Sequence, residues 1–212
     1  MRLFVAITPP AEALEEMEAL AAPLRAAWPR LRWTGPAEWH VTLAFLGEVD
    51  AGVLPGLGTR LERAARRHPV LQLSVTGAGT FPGARRARVL WAGIRGDRKE
   101  LAALAASAAA GARRAGAPPP DEGRRYHPHL TLARCREPAD LSPLADALGD
   151  LAGVGWAAAE IHLISSSLGA AGRPRYEIIG SWPLRPAAPR PASIPASERP
   201  GSQRPSSQRP GS

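Results

Sequence analysis

Apolar positions in this chain follow two spacings, one of two residues and one of three to four, and the two take turns from end to end. Residues 3–7 form a short apolar run ended by Thr8-Pro9-Pro10, which predicts a buried strand and then a break. In residues 11–27, Leu14, Met17, Leu20, Ala21 and Leu24 recur at helical spacing behind an acidic start, the pattern of an amphipathic helix. Trp33-Thr34-Gly35-Pro36 reads as a turn. Residues 39–46 read as a strand closed by Gly47-Glu48, and 53–67 as a second helix despite Pro55, Gly56 and Gly58 at its opening. Leu71, Leu73 and Val75 alternate with more polar neighbours and predict a strand, as do residues 89–94. Residues 98–114 are an Ala/Leu-rich helix and 117–123 a Pro-rich loop that runs into His129. A short helix over 141–151, a strand over 156–165 and a last strand over 176–182 complete the series.

Strands mixed with helices, with a similar His-bearing strand in each half, predict an α+β fold of two pseudo-symmetric lobes. Each lobe is an antiparallel sheet with helices outside it, and each gives one His-x-Thr-x strand to a central cleft. Residues 1–185 form this unit. From Pro186 the chain has seven prolines, many serines and a near-repeat of Arg-Pro-Gly-Ser type. Such a composition cannot bury a core, so residues 186–212 read as a disordered tail.

Charge changes this picture only a little. The formal charge is +8, and the tail holds Arg190, Arg199, Arg204 and Arg209 against Glu198, so the folded part keeps a modest positive balance. That balance suits an anionic substrate, because positive surface binds phosphates without reading sequence. Cys135 is the single cysteine, so no intrachain disulfide forms, and no Cys/His cluster has zinc-like spacing. The N-terminal apolar run is too short for a secretory signal, and no stretch is long and uncharged enough to span a bilayer. The expectation is a cytoplasmic monomer with no membrane contact, metal or cofactor.

The chemistry lies in two segments, Trp39-His40-Val41-Thr42-Leu43-Ala44-Phe45-Leu46 and Tyr126-His127-Pro128-His129-Leu130-Thr131-Leu132-Ala133-Arg134. Alternate residues of a strand share a face, so His40 and Thr42 point one way, His129 and Thr131 point together, and the intervening apolar residues enter a core. If the strands are neighbours, two imidazoles and two hydroxyls meet in one cleft. Histidine suits both proton removal from water and proton delivery to a leaving oxygen, since its ordinary pKa of about 6.5 keeps both forms accessible. Threonine hydroxyls can hold the non-bridging oxygens of a phosphate. One such segment alone would pass for an ordinary strand; two, one in each half, point to hydrolysis of a cyclic phosphodiester.

These segments, with Arg2-Leu3-Phe4-Val5-Ala6-Ile7, Arg88-Val89-Leu90-Trp91-Ala92-Gly93 and Tyr176-Glu177-Ile178-Ile179, resemble the two-histidine phosphoesterase superfamily. Within it they resemble the bacterial and archaeal RNA 2′,3′-cyclic phosphodiesterases, historically called 2′-5′ RNA ligases. The resemblance implies hydrolysis of RNA 2′,3′-cyclic phosphate ends to 2′-phosphates, with His40 the proton donor to the leaving 3′-oxygen and His129 the acceptor from water. Its partners would be such RNA ends or small cyclic nucleotides. The reverse 2′-5′ ligation, another cyclic nucleotide as substrate, and a non-catalytic RNA-binding module are the alternatives.

Other residues carry weaker signals. Arg134 stands where the family often has a phosphate-binding arginine, yet strand parity puts it opposite His129 unless the strand bulges; it reads equally as a surface ion-pair partner. Tyr126 could stack on a base or pack beneath the cleft. His127 pairs with His129 in a His-x-His without a third ligand. His68 and His162 read as structural, and Trp33, Trp91, Trp156 and Trp182 as core or lobe-interface residues.

Overall fold

The computed structural model describes residues 1–120, 125–169 and 172–186. The tail predicted beyond Pro186 and part of the loop before His129 therefore lie outside the described residues. The elements are β1 (Arg2–Ile7), α1 (Ala11–Ala27), β2 (Arg32–Trp33), β3 (Val41–Glu48), α2 (Leu54–Ala65), β4 (Leu71–Phe81), β5 (Ala87–Gly96), α3 (Arg98–Ala115), β6 (His129–Ala139), α4 (Ser142–Ala147), β7 (Ala152–Ala158), β8 (Glu160–Leu168) and β9 (Pro174–Pro183).

The strands join in one antiparallel sheet of order β7-β4-β5-β6-β3-β1-β8-β9, with β2 paired to β6. The order is two four-stranded halves set back to back, β7-β4-β5-β6 and β9-β8-β1-β3. Helices cover each half: α1 and α4 lie on β7 and β4, while α3 lies on β3 and α2 on β9. This is the bilobed α+β arrangement that the alternating periodicities predict. The helix over residues 11–27 forms over the expected span, because its buried stripe of Ala13, Met17 and Ala21 keeps a four-residue spacing.

The halves meet where β3 and β6 pair, and there the ladder has a single residue pair, Val41↔Leu130, with both side chains fully buried. The two strands diverge on either side of it, which opens the cleft.

Three predicted elements differ from those observed. Residues 156–165 are two strands, not one: β7 pairs with β4 in one half and β8 pairs with β1 and β9 in the other. Ala159 carries the chain between the halves, its carbonyl accepting from the Leu184 N–H at 2.8 Å. No Gly or Pro marks that crossing, and Glu160 is the one charged carboxylate beside it, which a strand tolerates without a break. The helix predicted over 141–151 is only α4, and the turn at 33–36 begins with β2, whose Arg32 and Trp33 pair with Arg134 and Ala133.

Because Leu130 is fully buried at the pair that joins the halves, Leu130→Ala should destabilise the protein by about 2–5 kcal/mol. Urea unfolding would register it as a lowered midpoint; an unchanged midpoint would show that the junction bears no load.

Candidate active site

Both His-x-Thr strands bulge at the same residue. Along β6, Trp91 of β5 pairs with Thr131 and Leu90 with Ala133, so Leu132 is an extra residue with no partner. Along β3, Ala6 of β1 pairs with Thr42 and Val5 with Ala44, so Leu43 is the extra residue. An inserted residue shifts the two-residue alternation by one. Leu132 and Ala133 are both buried, as are Leu43 and Ala44. Arg134 therefore lies on the His129-Thr131 face, and Phe45, its counterpart, lies on the His40-Thr42 face.

A buried threonine pins the bulge in β6. The Thr34 hydroxyl lies 2.7 Å from the Thr131 carbonyl and 2.8 Å from the Leu132 carbonyl, and its N–H donates to Leu132 at 2.9 Å. The Trp39 indole N–H donates to the same hydroxyl at 2.9 Å. Trp39 immediately precedes His40, so one buried network ties the backbone at both motifs.

The imidazoles are oriented in the same way. Nδ1–H of His40 donates to the Glu38 carbonyl at 2.8 Å, and Nδ1–H of His129 donates to the His127 carbonyl at 2.7 Å. A carbonyl can only accept, so Nδ1 carries the hydrogen and Nε2 is left for chemistry. Aromatic rings flank each imidazole. Phe4 lies 4.6 Å from His40 and Tyr176 meets it edge-on at 5.3 Å; Phe81 meets His129 edge-on at 5.1 Å, with Trp91 at 6.2 Å.

A cavity of about 700 Å³ opens on this face, walled by His40, Thr42, Arg134, Arg2, Arg32 and Tyr176 among others. His129 and Thr131 are not in its wall. They stand on the same face of β6, where the antiparallel register through Val41↔Leu130 runs Thr42 toward His129 and His40 toward Thr131. Arg32 reaches Glu38 at 3.7 Å and Arg2 lies over the Phe45 ring at 5.0 Å. The cavity also takes in Glu48, which the N-terminal ammonium approaches at 3.3 Å, and the arginines outnumber the carboxylates.

Burial and charge keep both rings neutral. His40 is pushed down to about 4, chiefly by burial, with the charges of His129 and Arg134 adding and the Glu38 hydrogen bond opposing. His129 is lowered by burial first, and by His127 and Arg134, against its bond to the His127 carbonyl. Such a site holds a ready base and lacks a proton for an acid.

The remaining candidates fall outside this set. Tyr126 packs against the core, and its hydroxyl donates to the Thr42 carbonyl at 3.1 Å. His127 is exposed and edges onto Trp91 and Phe81. Nε2 of His68 bonds the Ser107 hydroxyl and Nδ1 of His162 that of Ser181, each at 2.8 Å. Trp33 and Trp156 are buried and Trp182 packs on the core, whereas Trp91 lies at the cleft beside His127 and His129. Its indole fills the space left by the absent Cβ of Gly79 on β4. Sequence reasoning missed Thr34, Phe4, Tyr176, Arg2 and Arg32; the only signal was that the conspicuous segment Arg2–Ile7 contains Arg2 and Phe4 and the one at 176–179 contains Tyr176, while nothing marked Arg32 or Thr34. Among the described residues no group of three His, Cys, Asp or Glu side chains is placed to hold a metal ion, and no helix is long and apolar enough to cross a membrane.

A model of the 2′-5′ RNA ligase superfamily matches residues 9–170. The RNA 2′,3′-cyclic phosphodiesterase of Escherichia coli is 35% identical over 188 residues, which are 86% of this chain and 96% of that protein. The enzyme of the same name from Thermus thermophilus is 30% identical over 190 residues, 87% of this chain and 91% of that one. Among solved structures, TT0787 of Thermus thermophilus matches with a TM-score of 0.72 at 27% identity, over 89% of this chain and all of that one. Escherichia coli LigT complexed with 3′-AMP matches with a TM-score of 0.67 at 32% identity, over 86% and 97% of the two chains.

The low His40 value gives a signed pH dependence. Above about 6.5 the ring is neutral in both folded and unfolded chains; below it the unfolded chain takes up a proton that the folded one refuses until about 4, so stability falls on acidification through that window. Inorganic phosphate in the cavity should favour the imidazolium and raise the value. A histidine NMR titration should find His40 near 4 alone and at least about one unit higher with phosphate. An ordinary value near 6.5 without phosphate would contradict this.

Proposed function

Since the chain belongs to the 2′-5′ RNA ligase superfamily, we propose that it hydrolyses RNA 2′,3′-cyclic phosphate ends to 2′-phosphomonoesters by paired-histidine general acid/base catalysis. The observation that carries this reading is the pair of neighbouring strands, joined at Val41↔Leu130, that each present an imidazole with Nδ1 spent on the backbone and Nε2 unused. Relatives that bear the name RNA 2′,3′-cyclic phosphodiesterase, and a structural neighbour crystallised with 3′-AMP, support the substrate class.

In the proposed reaction the cyclic phosphate occupies the arginine-walled cavity. His129 Nε2 takes a proton from water as the water oxygen bonds to phosphorus. The bond from phosphorus to the ribose 3′-oxygen breaks, and that oxygen receives the proton of His40 Nε2. Which imidazole plays which part is carried over from the family resemblance. Thr42 and Thr131 donate to non-bridging oxygens, and Arg134 balances their charge as it grows. Each positioned imidazole is worth about 10²–10⁴-fold. His40, neutral in the free site, acquires its proton with the substrate, because an adjacent phosphate anion favours the imidazolium. Tyr126 acts from behind, holding the Thr42 backbone. With both motifs on one chain, a monomer in the cytoplasm would suffice.

The test is turnover of a short RNA with a 2′,3′-cyclic phosphate end, with the product identified. A 2′-phosphate is expected; a 3′-phosphate, or no reaction, would refute the reading. His40→Ala and His129→Ala should each lower kcat by about 10²-fold or more, and the double variant should be little worse than the weaker single one, since the pair acts as a unit. An acid fails as pH rises through its pKa and a base fails as pH falls through its own, so His40→Ala should remove the alkaline limb of the kcat/KM profile and His129→Ala the acidic limb.

A further inference from the structure

The cavity at His40 shares a wall with another. A second cavity of about 400 Å³ is lined by Glu18 and Arg25 of α1, by Pro29, Trp33 and Pro36, and by Arg173; Arg32 of β2 lines both cavities. Its charges do not cancel. The Arg25 guanidinium is held by both oxygens of Glu18, at 2.8 and 2.9 Å, so that pair is neutral as a unit. Arg32 reaches Glu38 only at 3.7 Å, and Arg173, which is exposed, makes no ion pair among the described residues. One uncompensated positive charge thus stands at a cavity lined by the exposed Pro29 and Pro36 and by the largely buried Trp33. Single-stranded nucleic acid is bound by that combination, cationic groups along the backbone and flat apolar surfaces beneath the bases or sugars.

A cyclic phosphate at the active site is the 3′ terminus of its strand, so the strand can leave only through the 5′-oxygen of the terminal nucleoside. We propose that it leaves along Arg32 and that the second cavity receives the nucleotide immediately 5′ of the cyclic end, with the intervening phosphate between Arg32 and Arg173. The enzyme then prefers single-stranded RNA ends to cyclic mononucleotides. This inference rests on the function proposed above and adds the part of the substrate that sets its preference.

The experiment compares a 2′,3′-cyclic mononucleotide with a dinucleotide and a trinucleotide ending in the same cyclic phosphate, using the full chain and its Arg173→Glu variant. In the wild type, kcat/KM is expected to be higher for the dinucleotide than for the mononucleotide. Arg173→Glu should raise KM for the dinucleotide about tenfold, the scale of one lost charge-assisted contact, with kcat kept. On the mononucleotide it should stay within about twofold of wild type, because that ligand does not reach Arg173. Arg173→Lys should restore dinucleotide KM, and the slope of log KM against log salt should flatten by about 0.7 in Arg173→Glu. Equal losses on all substrates, or no loss on any, would overturn the subsite while hydrolysis of the mononucleotide still upheld the proposed function. If the wild type turned over none of them, the function would fail and the subsite with it.

Discussion

A hydroxyl has one proton to give and lone pairs to receive with, and Thr34 commits both at one point in the chain. It faces the carbonyls of Thr131 and Leu132 and accepts from the Trp39 indole in a network that is largely buried. At the bulge the Thr34 N–H already serves the Leu132 carbonyl; without the hydroxyl the Thr131 carbonyl would lose a donor and the buried Trp39 indole N–H its acceptor, at a cost of about 1–3 kcal/mol for a buried group left unpaired. Thr34 makes that bulge tolerable. The bulge in turn puts Arg134 on the same face as His129 and Thr131, and the indole that completes the network belongs to the residue before His40. The position of Arg134 beside His129 and Thr131 thus depends on a buried contact that lies outside the wall of the His40 cavity.

The electrostatic design follows from the same burial. Aromatic rings shield each imidazole and the Arg134 charge acts on both, so burial and charge favour the neutral form of both rings. A neutral His129 is the form a base needs. In the proposed reaction a neutral His40 is not the form an acid needs, and the phosphate itself would supply the bias that protonates it. Under that proposal substrate binding and proton uptake would be one event, which would keep an imidazolium out of an arginine-rich cavity when no substrate is there.

Much of this was legible in the sequence. The spacing of apolar residues placed the helix Ala11–Ala27 and the two motif strands, and the repeat of His-x-Thr placed one strand in each lobe. Strict parity, by contrast, misplaces Arg134, because a bulge inserts a residue with no mark in the local pattern: Leu132 and Ala133 are both apolar and could each face a core. The crossing at Ala159 is hidden for a related reason, since hydropathy records burial but not which half of the sheet provides it. Trp91 reads as a core or lobe-interface residue, and it lies at the cleft beside His127 and His129, in a space opened by Gly79, a residue on another strand. Thr34 sits in what reads as a turn. Its role depends on carbonyls nearly a hundred residues away, a distance that periodicity cannot register.

The most direct test of this account removes the Thr34 hydroxyl while keeping its shape. Thr34→Val should fold but lose at least about tenfold in kcat on a cyclic-phosphate RNA end, as expected when one buried hydrogen-bonding group is left unsatisfied and the reacting geometry slackens. Thr34→Ser, which keeps the hydroxyl, should retain most of the activity. Wild-type kcat in Thr34→Val would contradict the claim that this buried network holds the site in its working form.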